Sequence, residues 1–174
     1  MSVVELWATR GLPGCGKSTW ARRWVDIAPA SRVRINRDDA RAMLHGRRLG
    51  TREQERQTTV VCHGAILDLL RIGTSVVEDS TNLVDEHLVA LWDIADRTGA
   101  RFRVADFTRI PFETCVERDA LRVGPARVGR EVILAMHQQH VQGRRRPLPL
   151  PPLVRSGRAN SVDVVDMSAS LAVA

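Results

Sequence analysis

A glycine-rich loop occupies residues 11–18 and reads Gly11-Leu12-Pro13-Gly14-Cys15-Gly16-Lys17-Ser18. It fits the pattern G-x-x-x-x-G-K-[ST]. An apolar run from Val3 to Ala8 precedes the loop and predicts a buried strand, and a helix is predicted from about Gly16 to Ile27. Backbone N–H groups in such a loop converge on an anion at the positive end of the helix. The strand, loop and helix together predict a phosphate-binding P-loop.

Lys17 is the only lysine of the chain, because every other basic residue is an arginine or a histidine. A compact ammonium at this position is expected to reach the outer phosphates of a bound nucleotide. We expect the Ser18 hydroxyl to bind Mg²⁺, which would offset charge that develops during phosphoryl transfer. The nucleotide-binding residues predicted within and beside the loop are Gly11, Pro13, Gly14, Cys15, Gly16, Lys17, Ser18 and Thr19.

Strand-like and helix-like segments alternate along the rest of the chain. Further strands are predicted at 32–36, 74–78, 101–107 and about 162–166. Thr51, Asn82 and Pro111 are expected to begin three of the intervening helices. The alternation predicts an α/β fold of the P-loop NTPase type, in which helices flank a central parallel sheet of about five strands. The ligand crevice is expected at the carboxyl ends of these strands.

Two further segments interrupt this pattern. Residues 118–130 combine arginines with Gly124 and Pro125, which predicts an arginine-bearing lid. Residues 147–152 read PLPLPP, so we expect an extended connector, most simply a plain linker. The arginines at 144–146 are interpreted either as a solvated charged turn or as an additional phosphate contact.

Length and composition favour one soluble domain, and residues 1–174 are assigned to it. No apolar run reaches the roughly 18 residues of a membrane helix, and the start of the chain lacks the features of an export signal, so we expect a cytoplasmic protein without a membrane partner. Cys15, Cys62 and Cys115 are far apart, which predicts neither a disulfide framework nor a metal knuckle. The net charge of +6 favours an anionic partner without identifying it.

An acidic residue follows the predicted strand at 32–36. Asp38 would face the crevice there and could accept the proton of an attacking hydroxyl. Arg41 follows one helical turn later and could hold an acceptor phosphate. In the alternative interpretation, Asp38 caps the helix and Arg41 is its exposed partner. The spacing alone favours neither interpretation.

At this point the sequence resembles a known family. G-x-P-G-x-G-K-S-T-W-A-R at 11–22, followed by I-N-R-D-D-x-R at 35–41, is similar to the 5′-kinase domain of the end-healing polynucleotide kinases of T-even bacteriophages. Ser80-Thr81-Asn82-Leu83 looks like the third-strand motif of that family. Residues 118–136 are similar to its lid and the helix that follows. The resemblance covers roughly residues 3–140.

The resemblance implies a role for each matching residue near the P-loop. Asp38 would be the general base. Lys17 and Ser18 would contact the phosphates and the metal ion. Arg41 would grip a phosphate of the acceptor strand.

The resemblance also assigns residues of the lid and of the third-strand motif. Arg122 would be the lid arginine, which neutralises charge that is greatest in the transition state, and Arg118 would also contact the nucleotide. Thr81 would lie at the acceptor. Val128 and Val132 would pack against the base at the 5′ end of the strand, and ordinary helix core is the alternative interpretation of both valines.

Three departures from the family pattern bear on these roles. Ser80 replaces an aspartate that braces the acceptor-binding arginine, and Asp79, one residue earlier, is predicted to hold Mg²⁺ through water. Gly129 replaces a proline of the lid. The family also carries a phosphatase domain, for which the residues after 154 leave no room. We therefore expect a separate phosphatase, and a ligase, to act as partners in the same pathway.

The predicted activity is transfer of the γ-phosphate of ATP, or of another nucleoside triphosphate, to the 5′-hydroxyl end of DNA or RNA with Mg²⁺ as cofactor. The alternative is a kinase for a small molecule such as a nucleoside, an antibiotic or a sugar, because the same arrangement serves any hydroxyl acceptor. A third hypothesis is a nucleotide-dependent binding protein without transferase activity.

Overall fold

The computed structural model describes residues 3–46, 50–153 and 162–169. Its strands are β1 Glu5–Arg10, β2 Arg32–Ile35, β3 Ser75–Glu78, β4 Arg101–Asp106 and β5 Asp163–Asp166. They form one parallel sheet in the order β2-β3-β1-β4-β5. The predicted α/β class and the five-stranded parallel sheet are thereby confirmed.

Helices cover both faces of this sheet. They are α1 Lys17–Asp26, α2 Arg37–His45, α3 Arg52–Arg71, α4 Asp85–Thr98, α5 Phe112–Ala120 and α6 Arg130–His140. Side chains alternate along β1, so Leu6 and Ala8 pack against α3 and α4, while Trp7 packs against α1 on the opposite face. The two faces build two separate apolar clusters. Among the described helices, none is long and apolar enough to cross a membrane.

Local sequence signals determine how α2 and α3 begin. Thr51 Oγ1 accepts a hydrogen bond from the N–H of Gln54 at 3.3 Å, and the Gln54 side chain accepts one from the N–H of Thr51 at 2.9 Å. These two bonds form a capping box, and Thr51 begins α3 as predicted. At α2 the N-cap is Asn36, so the interpretation in which Asp38 caps the helix is wrong. Asp38 lies in the first helical turn instead.

The prediction that Asn82 begins α4 is wrong. The helix starts at Asp85 with Val84 as its N-cap. Asn82 has a left-handed backbone (φ 42°), and its side chain donates hydrogen bonds to the Thr9 carbonyl at 2.9 Å and to Glu78 at 2.6 Å. Asparagine favours both helix caps and left-handed turns, because its short side chain bonds nearby backbone. The same residue type therefore predicts either structure.

The Pro-rich connector at 147–152 contains neither helix nor strand, as predicted, but it is not a plain linker. Leu148 is buried, and its N–H donates a hydrogen bond to Asp106 at 3.3 Å. The buried Arg10 guanidinium donates to the carbonyl oxygens of Leu148 at 3.3 Å and Pro149 at 3.0 Å. The connector is thus part of the packed fold at the end of β1. The assignment of residues 1–174 to one domain stays a prediction, because residues 154–161 and 170–174 lie outside the described ranges.

Candidate active site

The P-loop lies between β1 and α1 and packs against α5. Gly14 has a left-handed backbone (φ 83°), and a Cβ atom there would stand 2.1 Å from the carbonyl oxygen of Cys115. Only glycine permits this close approach. The N–H of Gly11 donates a hydrogen bond to the Thr81 carbonyl at 2.9 Å. The loop is therefore held between α5 and the segment that follows β3.

Lys17 is 7% exposed and lies against the inner side of the P-loop. Its Nζ atom donates hydrogen bonds to the carbonyl oxygens of Gly11 at 3.0 Å and Leu12 at 2.7 Å. The third contact of Nζ is to Cys15 Sγ at 3.5 Å, and sulfur is a weak acceptor. A phosphate oxygen would be a stronger partner for this donor.

Two adjoining clefts open at the carboxyl ends of the strands. The first, which we call the phosphate-loop cleft, has a volume of about 390 Å³. Its lining includes Lys17, Ser18, Thr19, Arg34, Asp79 and Arg122. The second, which we call the arginine cleft, has a volume of about 530 Å³. Its lining includes Arg37, Arg41, His87, Arg127, Val132 and Met136.

The wall between the clefts contains residues that line both. Asp38, Asp79, Thr81 and Val128 belong to this shared wall. The Asp38 side chain is 48% exposed. A carboxylate in this place can face one group bound in the phosphate-loop cleft and another bound in the arginine cleft. The structure thus brings the P-loop together with residues predicted to contact the acceptor.

Arg41 connects two acidic side chains in the arginine cleft. Its Nη1 atom donates a hydrogen bond to Asp38, and its Nε atom donates one to Glu55 Oε1 at 2.6 Å. Burial opposes the charge of Arg41, but hydrogen bonds and charge from Glu55 and Asp38 outweigh burial and raise the pKa of the guanidinium. Arg41 therefore stays a cation, and two of its donors have fixed partners.

Glu55, on α3, also holds a second arginine. Arg37 Nη2 donates to Glu55 Oε2 at 3.2 Å, and Arg37 Nη1 donates to Thr59 Oγ1 at 2.8 Å. Each carboxylate oxygen of Glu55 accordingly accepts from a different arginine of α2. Burial acts to raise the pKa of Glu55, but the bonds and charges of Arg41 and Arg37 prevail and lower it.

Asp79 is buried at the end of β3 and pairs with β2. Its Oδ2 atom accepts hydrogen bonds from Arg34 Nε at 2.6 Å and from Asn36 Nδ2 at 3.3 Å. Asp79 and Ser18 line the same cleft, so a carboxylate and a hydroxyl, which are oxygen ligands of the kind Mg²⁺ prefers, face a common space. These residues fit an ion held mainly by phosphate oxygens and Ser18. Within the described ranges, no cluster of three or more His, Cys, Asp or Glu side chains could hold a metal ion.

A buried acid organises the segment that follows β3. Glu78 accepts hydrogen bonds from the Ser80 hydroxyl and from Asn82 Nδ2. The Ser80 carbonyl in turn accepts a bond from Thr9 Oγ1 at 2.8 Å. Burial raises the pKa of Glu78, and the bonds from Ser80 and Asn82 oppose that rise only in part. This network holds the segment so that Thr81 lies in the wall shared by the two clefts.

The lid is anchored to a buried acid at the end of α5. Asp119 is 1% exposed, and its carboxylate accepts hydrogen bonds from the N–H groups of Val128 at 3.1 Å and Gly129 at 2.8 Å. Arg122 Nη1 lies 3.3 Å from Asp119 Oδ1, and Arg122 lines the phosphate-loop cleft. Its role as a lid arginine stays a prediction. Arg118 is exposed on α5 and does not line either cleft, so its contact with a nucleotide stays a prediction.

The two valines predicted at the acceptor differ in burial, and their contact with a base stays a prediction. Val128 lines the clefts and also packs against the apolar cluster that contains Ile133. Val132 is 48% exposed and lines the arginine cleft with Met136. They form an apolar wall opposite the arginines of α2.

The cysteine in α5 is chemically quiet. Burial raises the pKa of Cys115 to about 12, and the nearby Cys15 adds to this effect. A thiol with such a pKa is protonated at neutral pH and is a poor nucleophile. The Cys115 sulfur is therefore a packing group in the described structure.

Three acids of the site were not predicted from the sequence, namely Glu55, Glu78 and Asp119. Glu55 acts on arginines of another helix and Glu78 acts on a turn, so no helical spacing identifies either of these two. The one available signal was Asp119, three residues before Arg122 in the predicted lid, because residues at that spacing face each other on a helix.

Comparison with known proteins identifies the family. Residues 6–143 match the profile of AAA_33, described as an AAA domain. The chain belongs to the AAA_33 family. It is therefore a P-loop kinase domain with a nucleotide-binding loop. A search of curated proteins found no match.

Solved structures include two similar chains from an RNA repair assembly. The chain of the Pnkp1/Rnl/Hen1 complex is 26% identical, with a TM-score of 0.66, and the match covers 98% of this chain and 52% of that one. A second structure of the Pnkp1/Rnl/Hen1 RNA repair complex is 26% identical, with a TM-score of 0.60 and coverage of 90% and 51%. The protein thus spans about half the length of these chains.

The fold also occurs in a small-molecule kinase. The APS kinase CysC of Mycobacterium tuberculosis, solved with AMPPNP and APS, is 18% identical with a TM-score of 0.57. The match covers 91% of this chain and 92% of that one. At this identity the likeness shows the fold alone.

Proposed function

We propose that the protein transfers the γ-phosphate of ATP to the 5′-hydroxyl end of a nucleic acid strand. The observation that carries the proposal is the position of Asp38, which lines both the phosphate-loop cleft and the arginine cleft. A base at this junction can reach a hydroxyl in one cleft while the terminal phosphate lies in the other. The 26% identity to a chain of the Pnkp1/Rnl/Hen1 RNA repair complex supports a nucleic acid as the acceptor.

The phosphate-loop cleft would hold the donor. The N–H groups of the P-loop and the Lys17 ammonium would bind the β- and γ-phosphates. Ser18 and, through water, Asp79 would hold Mg²⁺, which supplies neutralisation of the phosphate charge. Arg122 of the lid lines the same cleft and would bind the transferring group as its charge develops.

The arginine cleft would hold the acceptor. Arg41 and Arg37 would bind the phosphate that follows the terminal nucleoside, because guanidinium groups match phosphate geometry. The apolar wall at Val128 and Val132 would contact the terminal base without selecting its identity. A volume of about 530 Å³ lies within the usual range for small-molecule sites, so it suits one terminal nucleotide.

Asp38 would act as the general base. Its carboxylate takes the proton of the 5′-hydroxyl, whose oxygen forms a bond to the γ-phosphorus while the bond to the β–γ bridging oxygen breaks. ADP leaves with that bridging oxygen, and the strand gains a 5′-phosphate. Asp38 must release Arg41 for this step, and the incoming phosphate would take its place on the guanidinium.

A small-molecule kinase is the second candidate. The observation that favours it is the size of the arginine cleft, which would also accept a free nucleoside or sugar. The two candidates differ in the need for a phosphate next to the reacting hydroxyl. An acceptor that lacks this phosphate leaves Arg37 and Arg41 without an anionic ligand.

The test is transfer of labelled γ-phosphate from ATP to a short 5′-hydroxyl oligonucleotide in the presence of Mg²⁺. A 5′-phosphorylated oligonucleotide and a panel of free nucleosides and sugars serve as controls. Label on the 5′-hydroxyl strand alone supports the proposal, and DNA and RNA strands compared at equal concentration identify the preferred polymer. Label only on a nucleoside or a sugar refutes the proposal and supports the second candidate.

The same proposal has consequences for partners. Pnkp1, a chain of which is 26% identical to this protein, assembles with Rnl and Hen1 in an RNA repair complex. We infer that this protein likewise acts with a phosphatase and a ligase in one pathway. Phosphatase and ligase activities that co-purify with the tagged protein would support this assignment. They should be lost when the surface of the protein is mutated but should remain when Asp38 is mutated.

A further inference from the structure

We propose that Glu55 is a positioning residue. It holds Arg37 and Arg41 so that both can bind the acceptor phosphate next to the reacting hydroxyl. The inference rests on the proposed strand kinase activity and deepens it. Glu55 lies on α3, outside every motif in which the site was predicted.

The geometry places Glu55 behind the two arginines. Arg37 and Arg41 line the arginine cleft, whereas Glu55 does not. Its Oε1 atom accepts from Arg41 Nε at 2.6 Å, and its Oε2 atom accepts from Arg37 Nη2 at 3.2 Å. One carboxylate therefore fixes two guanidinium groups from the side away from the ligand.

The second step concerns how Asp38 becomes available. Arg41 Nη1 donates to Asp38, so the base and the phosphate-binding arginine form an ion pair in the described structure. When Asp38 turns to the acceptor hydroxyl, Arg41 loses that partner. The bond between Arg41 Nε and Glu55 remains, and it keeps the guanidinium in place while its Nη atoms bind the acceptor phosphate.

Glu55 is itself an acid that braces Arg41, but it lies on a different element from the one that the family resemblance suggested. Ser80 stands after β3 where a bracing aspartate was expected, and its hydroxyl donates to Glu78 rather than contacting Arg41. The brace therefore comes from α3. Glu55 is not in reach of the reacting atoms, so its effect is on acceptor binding rather than on proton transfer.

The test compares Glu55→Gln with Glu53→Gln. Glu53 lies in the same helical turn, but it is exposed, and its partners Arg56 and Gln57 also lie on the surface. Glu55→Gln should raise the KM for a 5′-hydroxyl oligonucleotide about tenfold or more, because guanidinium groups without a fixed orientation bind the acceptor phosphate less tightly. The KM for ATP and the kcat at saturating oligonucleotide should change less than about threefold. Glu53→Gln should match the wild type in all three.

A double variant tests whether Glu55 acts through Arg41. In the Arg41→Gln background, Glu55→Gln should raise the oligonucleotide KM by a smaller factor than it does alone, since one target of the brace is already gone. Equal factors in both backgrounds, or an unchanged KM in an active Glu55→Gln protein, overturn the inference alone. A wild-type protein that transfers no label to any oligonucleotide overturns the proposed function and this inference together. Equal melting temperatures of the Gln variants and the wild type establish that the effect is not a loss of folding.

Discussion

Asp38 is the side chain on which the proposed chemistry depends most directly. Asp38→Asn keeps the shape of the side chain and removes its ability to take a proton. We expect turnover to fall about a hundredfold or more while ATP still binds, because positioning remains and general base catalysis is lost. Single-turnover label transfer and a separate nucleotide-binding measurement check the two halves of this expectation.

The matched control for this prediction is Asp26→Asn at the end of α1. Asp26 is exposed and does not line either cleft, so its variant should retain wild-type turnover. An Asp38→Asn protein that keeps more than about a tenth of wild-type turnover would contradict the assignment of the base.

Glu78 permits a prediction about pH and stability. Burial raises its pKa above the ordinary value of 4.5, so the folded state disfavours the ionised form. The unfolded chain ionises first as pH rises, and stability is therefore lost from the unfolded pKa up through the folded pKa. Glu78→Gln removes this loss. The Tm of the variant minus the Tm of the wild type should therefore be larger at about pH 8 than at about pH 4. A difference in Tm that does not depend on pH would contradict the raised pKa.

The sequence predicts well those residues of the site that follow one another along the chain. The P-loop residues follow one another, so their spacing alone predicts their joint role. Asp38 and Arg41 are also close in sequence, and the structure places both in the arginine cleft as expected. Glu55 is 14 positions from Arg41, and nothing in a helical pattern indicates which of its acids will face an arginine of another helix.

The lid is the element whose anchoring can be tested. Asp119 accepts from two backbone N–H groups at the start of α6 and pairs with Arg122 three residues later. Asp119→Ala leaves these half-buried donors without their acceptor, at a cost of about 1–3 kcal/mol. For a domain of this size we expect Tm to fall by roughly 2–4 °C per kcal/mol, and turnover should fall as well, since Arg122 loses its anchor.

Asp68→Ala is the control for the lid variant. Asp68 pairs with Arg71 at the same three-residue spacing and the same 3.3 Å distance, but both side chains are more than half exposed. Its loss should change stability by less than about 0.5 kcal/mol. If calorimetry gave Asp119→Ala the same Tm as Asp68→Ala, that result would contradict the lid anchor.

Elements differ in how well local sequence predicts them. The capping box at Thr51 and Gln54 is specific, because two side chains satisfy two N–H groups within one turn. Asn82 was misassigned because a single residue type serves two kinds of turn. The connector at 147–152 is predicted to be extended, but its burial depends on Arg10 and Asp106. These two residues lie at the ends of strands that are far from the connector in the sequence. Packing of that kind has no local pattern.

Because the molecule is positively charged, the salt dependence of binding can distinguish a strand from a small molecule as the acceptor. The net charge of +6 is distributed over many arginines, but only Arg37, Arg41 and Arg127 are basic residues with permanent charge in the arginine cleft. If the acceptor is a strand, each phosphate bound there releases counterions, and affinity falls as salt rises. One phosphate bound by Arg37 and Arg41 and a second bound by Arg127 predict a roughly 7-fold weaker oligonucleotide affinity at 200 mM salt than at 50 mM.

The location of that salt dependence is itself a prediction. Arg127 lines the arginine cleft, whereas Arg145 is exposed beyond the far end of α6, a helix about 16 Å long. Arg127→Gln should lower the slope of log affinity against log salt by about 0.7, the effect of one phosphate contact on a single strand, and Arg145→Gln should leave the slope unchanged. A reduced slope in Arg145→Gln would instead extend the strand along α6 to the region of that side chain.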